Sequence, residues 1–301
     1  MKILVTGGAG FIGSHLVKAL VTQGHEITVV DNLSSGKAER LPESVHLIQA
    51  DIQDLDSRTD LPKSIDLVFH LAAQVDVRKS VNDPEFNDAV NITGTKRVID
   101  YGIKAGMKKM VFSSTGGAIY GPAELLPTPE ESPCHSSSPY GTSKFKAEEL
   151  LLAAAKEGNF LPVILRYANV YGPGQGGSKE TGVISIFTQN IHDGKDSVIY
   201  GDGEQTRDFV YVDDVIRANL LVSQQDIQGI YNIGTGQETS LNKLSDMLKQ
   251  VAGSELQFTY AEARKGEEVR SCLDATKIQG LGWEPQVSLE EGLKKTLASL
   301  Q

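Results

Sequence analysis

The stretch Gly7-Gly8-Ala9-Gly10-Phe11-Ile12-Gly13 decides the fold of this chain, and it directly follows the apolar run Ile3-Leu4-Val5. Its glycines at positions 7, 10 and 13 stand three residues apart. This pattern predicts a strand that enters a tight turn and then a helix, whose first backbone N–H groups can bind a pyrophosphate. A glycine turn without a ligand is the alternative, but its position between a strand and a helix favours a dinucleotide site.

Short apolar runs rich in β-branched residues alternate with longer helical patterns through the first half of the chain. Such runs are typical of parallel strands that are buried on both faces. Gly24 stands where a glycine commonly terminates a helix. The sequence therefore predicts an α/β fold with a Rossmann-like, doubly wound parallel sheet. The predicted strands are Ile3–Thr6, Ile27–Asp31, Val45–Ala50, Leu67–Ala72, Met110–Ser114 and Val163–Tyr167, and the predicted helices are Phe11–Gln23, Pro84–Lys104 and Pro139–Glu157.

The regular alternation ends near Gly172, where glycines and a proline cluster. Strand patterns return at Arg207–Val212 and Ile230–Ile233, separated by a helical pattern over Asp213–Ser223. From Ser240 onward two helical patterns remain, Leu241–Val251 and Leu289–Leu300. We therefore expect a dinucleotide-binding Rossmann domain of residues 1–169 plus about 207–233. A smaller, interleaved C-terminal substrate lobe comprises about 170–206 plus 234–301.

The composition excludes several function classes. The 301 residues carry a net charge of −10 and a pI near 5.1, with no basic run for a nucleic-acid backbone. The only cysteines, Cys134 and Cys272, lack metal-type spacing and fit a reducing compartment. No secretory segment and no apolar stretch of membrane-spanning length is found. We expect a cytoplasmic protein with no nucleic-acid, membrane or metal partner.

The segment Tyr140-Gly141-Thr142-Ser143-Lys144 sets a phenol and an ammonium group four residues apart, on one face of a helix. Tyrosine has an ordinary pKa near 10, so it is a poor base at neutral pH. Lys144 and a positively charged nicotinamide ring are expected to lower that pKa. An ordinary surface helix is the alternative, but the preceding Ser138-Pro139 indicates a helix start and the dinucleotide loop supports a catalytic role.

In this order and separation, the glycine loop and the Tyr-x-x-x-Lys segment resemble the extended short-chain dehydrogenase/reductase superfamily. The remaining sequence, from about residue 1 to 295, resembles its nucleotide-sugar epimerases of the UDP-glucose 4-epimerase type. The resemblance implies NAD as cofactor, a UDP-sugar as substrate and a homodimer that packs the helix containing Tyr140 against its mate. Phe145, Leu150, Leu151 and Leu152 on that helix offer apolar surface, which the sheet alone could also consume.

Asp31 ends the second predicted strand about 20 residues after the glycine loop, where a carboxylate accepts hydrogen bonds from both ribose hydroxyls. Because this carboxylate repels a 2′-phosphate, NAD is favoured over NADP. For Asn91 and Tyr167, a purely structural hydrogen bond is an equal alternative. The other cofactor-binding residues implied by the resemblance are Gly7, Gly10, Phe11, Ile12, Gly13, Asn32, Ser35, Gly36, Asp51, Ile52, Leu71, Ala72, Ala73, Gln74, Tyr140 and Lys144.

The resemblance also places a catalytic hydroxyl in the loop after the fifth strand. Counting forward from the strand selects Thr115, whereas counting back from Tyr120-Gly121 selects Gly116. An extra glycine reconciles the two counts, so Thr115 is predicted, with Ser114 in reserve.

This loop also separates reaction classes. Sugar-nucleotide dehydratases and decarboxylases of similar fold use a carboxylate here, and this chain has Gly116, Gly117 and Ala118. The sequence therefore favours oxidation and re-reduction without elimination. Cys134-His135 resembles the paired groups of a 3,5-epimerase, but its polar surroundings predict an exposed loop.

On the substrate side, the resemblance assigns Asn169 and Arg207 to the diphosphate. Arg264 is assigned to phosphate and Glu267 to the uridine ribose, although Glu267 stands where the family has aspartate. Four residues after that acid, Ser271 occupies the position facing the sugar C2 substituent. Together with Thr115 and Tyr140, these are the predicted substrate-binding residues.

The leading interpretation is NAD-dependent C4 epimerisation of a UDP-hexose through a transient 4-keto intermediate. Tyr140 removes the 4-hydroxyl proton, the sugar turns about its diphosphate, and hydride returns to the opposite face. Since Ser271 is small, UDP-GlcNAc and UDP-GalNAc are expected beside UDP-glucose and UDP-galactose. A related decarboxylase or dehydratase is the alternative enzyme, and a dinucleotide-binding redox sensor is the alternative without catalysis.

Overall fold

The computed structural model describes residues 1–176, 182–253, 257–263 and 269–300. Their contacts divide the chain into two units. The first unit comprises Met1–Ile119, Ser136–Arg166 and Ile216–Tyr231. The second comprises the described parts of Tyr120–His135, Tyr167–Val215 and Asn232–Gln301. Both units are thus interleaved along the chain.

Strands and helices alternate through the first half, as the sequence predicts. The strands are β1 Lys2–Thr6, β2 Glu26–Asp31, β3 His46–Gln49, β4 Leu67–His70, β5 Lys109–Thr115, β6 Leu161–Tyr167, β7 Asn169–Tyr171, β8 Ser197–Tyr200, β9 Thr206–Tyr211, β10 Gly229–Ile233, β11 Glu238–Ser240, β12 Phe258–Ala261 and β13 Arg270–Ser271. The α-helices are α1 Phe11–Thr22, α2 Val77–Asn82, α3 Pro84–Asp88, α4 Thr95–Lys104, α5 Gly116–Ile119, α6 Pro139–Gly158, α7 Val183–His192, α8 Val212–Gln224, α9 Leu241–Ala252, α10 Thr276–Gln279 and α11 Leu289–Ala298.

Seven strands form one sheet in the order β10-β6-β5-β4-β1-β2-β3. The registers of β3, β2, β1, β4 and β5 are all parallel, with Val5 beside both Val29 and Phe69. The chain order reverses between β1 and β4, which makes this pair the topological switch point. In such sheets, ligands bind outside the carboxyl ends of the strands at that point. The predicted Rossmann-like α/β fold is confirmed.

The core of the first unit lies on both faces of this sheet. Leu4, Val68, Met110 and Phe112 are fully buried strand residues. These four side chains lie on one face of the sheet, where Val98 of α4 and Leu151 of α6 cover them. On the opposite face, Val29 of β2 lies beside Val17 of α1. This double coverage explains why the strands read as continuous apolar runs.

One predicted helix is three elements in the structure. The segment predicted as Pro84–Lys104 consists of α3, a π-helical turn over Ala89–Gly94, and α4. Gly94 packs so closely on Ile52 that an added Cβ would stand 2.7 Å from the Ile52 side chain. The wider turn includes Asn91, which bonds to the end of the β4 connection. A local π-turn of this kind has no signal in apolar periodicity.

The second unit contains its own small sheets. Strand β9 pairs with β7 and β13 in parallel and with β11 antiparallel, whereas β12 pairs with β8. Tyr171, Phe209 and Tyr211 are buried, with edge-to-face ring pairs at centroid distances of 6.4 and 5.5 Å. The second unit includes residues 120–135, 167–169, 207–215 and 232–233, which the predicted division placed in the first.

The described part of the chain has no helix of the length and apolarity that crossing a membrane requires.

Candidate active site

The glycine loop has the close packing that its spacing predicts. Gly7 has a positive φ of 70°, and a Cβ there would stand 2.6 Å from the backbone nitrogen of Ala72. A Cβ on Gly13 would stand 2.1 Å from the carbonyl oxygen of Gly7. Gly10 caps α1 without a side chain, and no acidic residue occupies the first turn. The loop therefore presents bare backbone at a helix N-terminus, at the switch point of the sheet, which fits a pyrophosphate.

Asp31 ends β2 beside this loop and is 7 % exposed. Its Oδ2 accepts from Ala9 N at 2.9 Å and its Oδ1 from Leu33 N at 2.8 Å. Leu33 has a φ of 58°, in the left-handed region that non-glycine residues rarely adopt. Each carboxylate oxygen retains acceptor capacity for a ribose hydroxyl. Gly36 packs against this carboxylate, since a Cβ there would lie 2.9 Å from Oδ1.

The residues after β3 form a second side of this region. Asn32 donates to Asp51 Oδ2 at 2.8 Å, while Asp51 Oδ1 accepts from Gln53 N at 2.9 Å. Asp51 thereby caps the 3₁₀ turn Ile52–Ser57 and ties it to the β2 loop. Ile52 is 4 % exposed and belongs to the core, whereas Ser35 is exposed. The structure thus brings the predicted adenosine-side residues together.

The segment after β4 is held by Asn91. Gln74 N donates to Asn91 Oδ1 at 2.8 Å, and Asn91 Nδ2 donates to Gln74 O at 3.0 Å. Asn91 Nδ2 also lies 3.0 Å from Ser143 Oγ, which donates to Tyr140 O at 2.8 Å. Asn91 therefore supports the backbone of Gln74 and connects it to α6. Its direct contact with a cofactor stays a prediction.

His70, which ends β4, lies fully buried beside Thr6, the residue directly before the glycine loop. Its Nδ1 is 2.6 Å from Thr6 Oγ1, and its Nε2 is 2.9 Å from Thr95 Oγ1. Thr95 Oγ1 donates to Asn91 O at 2.6 Å. Burial lowers the pKa of His70 to about 3, with a smaller contribution from the charge of Lys144. The imidazole is therefore neutral and links β1, β4 and α4.

This neutral imidazole makes stability depend on pH. The unfolded chain binds a proton at His70 near the ordinary pKa of about 6.5, whereas the folded chain binds it only near 3. Between these values the unfolded state holds more protons, so stability falls as the pH falls. Through His70, lowering the pH from 7 to 5 should reduce the free energy of unfolding by about 2 kcal/mol. In urea unfolding, the loss of unfolding free energy between pH 7 and pH 5 should be smaller by about that amount in His70→Gln than in wild type. In His135→Gln, whose side chain is exposed, this loss should equal that of wild type.

Tyr140 and Lys144 lie in the first two turns of α6. Ser138 caps this helix by accepting from Gly141 N at 3.1 Å, and Pro139 occupies its first turn. A Cβ on Gly141 would stand 2.2 Å from Ala118 O, so this glycine allows α6 to pack against α5. Tyr140 N donates to Ser80 Oγ at 3.1 Å. The predicted helix start is confirmed, and the tyrosine is fixed through its backbone.

Thr115 is the last residue of β5, and its hydroxyl is the neighbouring group that lowers the pKa of the Tyr140 phenol. Ser114 is buried, and its hydroxyl donates to Glu148 Oε1 at 2.5 Å. Of the two hydroxyls weighed from the sequence, the structure therefore brings Thr115 to Tyr140 and turns Ser114 away. The Gly116 alternative opens α5 and has no hydroxyl.

The pKa of Tyr140 differs from the expectation that Lys144 lowers it. Burial raises the pKa of Tyr140 to about 12, although the hydrogen bond from Thr115 opposes this. Burial lowers the pKa of Lys144 to about 7, while the charge of Glu148 raises it. The Lys144 ammonium also lies 4.0 Å from the centroid of the Phe112 ring. The protein groups alone therefore keep the phenol protonated, and a bound positive charge must lower its pKa.

Sequence reasoning missed Glu148, Arg166, Ser143 and His70. The available signal was the spacing of Glu148, one helical turn beyond Lys144. His70 and Ser143 had no signal in spacing, because their partners are distant in sequence.

Of the predicted substrate residues that the structure describes, Asn169, Arg207 and Ser271 belong to the second unit, and Thr115 and Tyr140 to the first. Arg207 and Ser271 are direct register partners on β9 and β13, so their side chains lie on one face of that sheet. Asn169 begins β7, the other parallel neighbour of β9. Tyr167 is 5 % exposed. The predicted Arg264 and Glu267 lie outside the described residues.

Asp208 fixes the position of β13. Its carboxylate accepts from Thr235 N at 2.9 Å, Gly236 N at 3.2 Å and Leu273 N at 3.3 Å.

Cys134 and His135 lie in a loop, as the sequence predicts, where Cys134 is half-buried and His135 is exposed.

Comparisons with known proteins match this arrangement. The model of the "NAD dependent epimerase/dehydratase family" matches residues 3–234. A UDP-glucose 4-epimerase of Mycolicibacterium smegmatis is 39% identical, over 99% of this chain and 97% of that protein. The crystal structure of Thermotoga maritima UDP-glucose 4-epimerase with UDP-glucose has a TM-score of 0.96 at 46% identity, covering 99% of this chain and 98% of that one. The Thermus thermophilus UDP-glucose 4-epimerase complex with NAD has a TM-score of 0.93 at 37% identity, covering 100% and 99%.

Enzymes of other activities are also similar. A UDP-N-acetyl-alpha-D-glucosaminuronate decarboxylase of Bacillus cytotoxicus is 34% identical, over 98% of this chain and 96% of that protein. The chain thus belongs to the NAD dependent epimerase/dehydratase family of the extended short-chain dehydrogenases/reductases, and its cofactor is NAD.

Proposed function

We propose that this chain is an NAD-dependent 4-epimerase of UDP-hexoses, with UDP-glucose and UDP-galactose as a substrate pair. The single observation that carries the proposal is the pairing of Tyr140 with a buried Lys144 on one face of α6, packed against β5, whose end supplies the hydroxyl of Thr115 and no carboxylate. The phenol of Tyr140 can accept and return the proton of a sugar hydroxyl, but residues 113–119 offer no acid for expelling water. The similar UDP-glucose 4-epimerases support this reading.

The cofactor would be held by the first unit. The bare backbone of Gly7–Gly13 binds the pyrophosphate, Asp31 accepts from the adenosine ribose, and Lys144 donates to the nicotinamide ribose. When bound, NAD would supply the hydride acceptor for oxidation at the sugar C4 and, once reduced, the hydride donor for the return step. Its positive ring also supplies the charge that lowers the pKa of the phenol.

Tyr140 acts on the sugar 4-hydroxyl as general base and later as general acid. Thr115 donates to the phenolate oxygen and so stabilises it. Arg207 binds the diphosphate, because a guanidinium group can bind phosphate oxygens in a bidentate manner. Holding the diphosphate while the sugar turns is the positional task of the second unit.

The proposed reaction has a direct test. Purified protein incubated with UDP-galactose should form UDP-glucose, with NAD added only if little is retained. Product mass distinguishes the alternatives, since an epimer keeps the substrate mass, a decarboxylase removes carbon dioxide from a UDP-uronic acid and a dehydratase removes water. Absence of UDP-glucose under both conditions would contradict epimerisation of this sugar. A redox sensor would bind NAD and turn over none of these sugars.

Sugar choice should depend on Ser271. Its side chain is partly buried and lies beside Arg207 on one sheet face. A small residue leaves room for an acetamido group, so we expect UDP-GlcNAc and UDP-GalNAc to be accepted as well. In Ser271→Tyr, a clash of about 1–3 kcal/mol should lower kcat/KM for the acetamido pair by roughly tenfold or more, with little effect on the other pair.

The control for this substitution is Ser64→Tyr, at an exposed position of the first unit. It should leave both substrate pairs unchanged. A wild-type enzyme that ignores the acetamido pair, or a Ser271→Tyr variant that treats both pairs as before, rules out Ser271 as the gate.

We also propose a homodimer through α6. Leu151 is fully buried in the core, whereas Phe145, Leu150 and Leu152 are only partly buried and retain surface for a partner. Light scattering at micromolar concentration should give twice the chain mass of 32.5 kDa. The monomer mass would contradict the dimer.

A further inference from the structure

A buried ionic cluster of the first unit lies directly behind the catalytic pair. The Glu148 carboxylate accepts from Arg166 Nη2 at 2.6 Å and from Arg166 Nε at 3.1 Å. Both side chains are almost fully buried, at 2% and 3% exposure. Ser114 Oγ completes the cluster with its 2.5 Å bond to Glu148 Oε1. The proposed reaction assigns no role to these three residues.

The cluster fixes the end of β5. Ser114 and Thr115 are successive residues of one strand, so their side chains leave opposite sides of the backbone. The bond from Ser114 to Glu148 sets the rotation of the strand end. That rotation directs the Thr115 hydroxyl to the other side, from which it lowers the pKa of the Tyr140 phenol.

The same cluster fixes α6. Tyr140, Lys144 and Glu148 follow one another at intervals of four residues and share one helix face. Glu148 ties this face to β5 through Ser114 and to β6 through Arg166. A helix held at two strands can neither rotate nor slide without breaking a buried, charge-assisted contact.

We propose that Glu148 is a positioning residue, which sets the register of α6 against β5 and thereby keeps the phenol of Tyr140 on the hydroxyl of Thr115. This inference rests on the proposed epimerase reaction. Glu148 acts through Ser114 and Arg166 and does not itself touch the substrate.

The charge of Glu148 has a second consequence, at Lys144. The groups around that ammonium are Tyr140 and Glu148 of α6, the Phe112 ring of β5 and the neutral His70 of β4, with Arg166 of β6 bound to Glu148. Glu148 is the carboxylate that raises the pKa of Lys144 against burial. Removing its charge lowers that pKa further, so the ammonium form is lost at a lower pH.

Glu148→Gln tests the proposal, because glutamine keeps the shape and an acceptor for Ser114 but loses the charge. We expect kcat per bound NAD to fall by about tenfold or more, while KM for UDP-galactose stays within about threefold. The alkaline limb of the kcat–pH profile should move down by roughly one pH unit. Glu149→Gln, at the next and exposed position, should match wild type in all three measurements.

A crystal structure of Glu148→Gln supplies a readout without catalysis. We expect the distance between Tyr140 Oη and Thr115 Oγ1 to be longer in this variant than in wild type and unchanged in Glu149→Gln. An unchanged kcat and pH profile would overturn the proposal, as would a lower melting temperature with unchanged kcat per bound NAD, which indicates only a structural role.

Ser114→Ala carries the test if Glu148→Gln does not fold. It removes the hydroxyl tether and keeps the Glu148–Arg166 pair, so kcat should fall by about threefold or more while the pH profile stays fixed. Unchanged kcat in this variant also overturns the proposal. A wild-type protein that turns over no UDP-sugar contradicts the proposed function instead.

Discussion

Tyr140→Phe should lower kcat for UDP-galactose by at least about a hundredfold, the usual scale for a general acid–base group. The Thr115 hydroxyl lowers the pKa of this phenol, and the buried Lys144 lies one helical turn farther along α6. Phenylalanine keeps the ring and its packing but has no proton to exchange. Because Tyr140 is fixed by its backbone bonds to Ser80 and Ser143, the helix should not move. The variant should therefore fold, retain NAD and fail in turnover.

The control is Tyr260→Phe. Tyr260 is 58% exposed on β12, and its hydroxyl donates to Asn242 at 2.9 Å. Its loss should leave kcat within about twofold, since a partly exposed hydrogen bond of this kind contributes little. Normal turnover by Tyr140→Phe would refute the role given to Tyr140, and loss of bound NAD would show that the substitution had damaged the cofactor site instead.

The Rossmann half of the fold follows from the sequence because its signals are local. A glycine turn, buried apolar strands and helix caps all act over a few residues, and the structure places α1, β2 and α6 within about two residues of their predicted bounds. The short strands β7, β11 and β13 carry no such signal. They exist because β9 provides edges for them, and these pairings join residues 30 to 64 positions apart.

In the candidate active site, too, local spacing predicts some residues, whereas others depend on contacts between distant parts of the chain. Gly7, Asp31, Tyr140 and Lys144 were predictable, since each stands at a fixed offset from a strand or a helix start. The choice between Ser114 and Thr115 was not fixed by spacing, because two counts disagreed. It depends on a buried carboxylate 34 residues away, which only the folded chain brings to Ser114. The raised pKa of Tyr140 likewise comes from burial, and sequence spacing does not report burial.

Gly13→Ala should lower the amount of NAD that the protein retains. Gly13 lies in the first turn of α1, and an added Cβ would meet Gly7 O at 2.1 Å and Gly8 Cα at 2.8 Å. Both neighbours are backbone atoms of the loop that is proposed to hold the pyrophosphate, so no flexible side chain can move aside. Overpacking of this kind costs about 1–3 kcal/mol, and a displaced loop should weaken NAD binding by about tenfold or more.

Gly24→Ala separates this contact from the general cost of replacing a glycine. Gly24 ends the same helix with a φ of 77°, and no atom lies within 4 Å of an added Cβ. Its substitution strains the backbone by about 1 kcal/mol but leaves the loop untouched. Nucleotide released on denaturation, measured beside the melting temperature, should therefore fall only in Gly13→Ala, while both variants melt lower. Equal NAD content in the two variants would mean that the close approach of Gly13 to Gly7 is not what shapes the cofactor site.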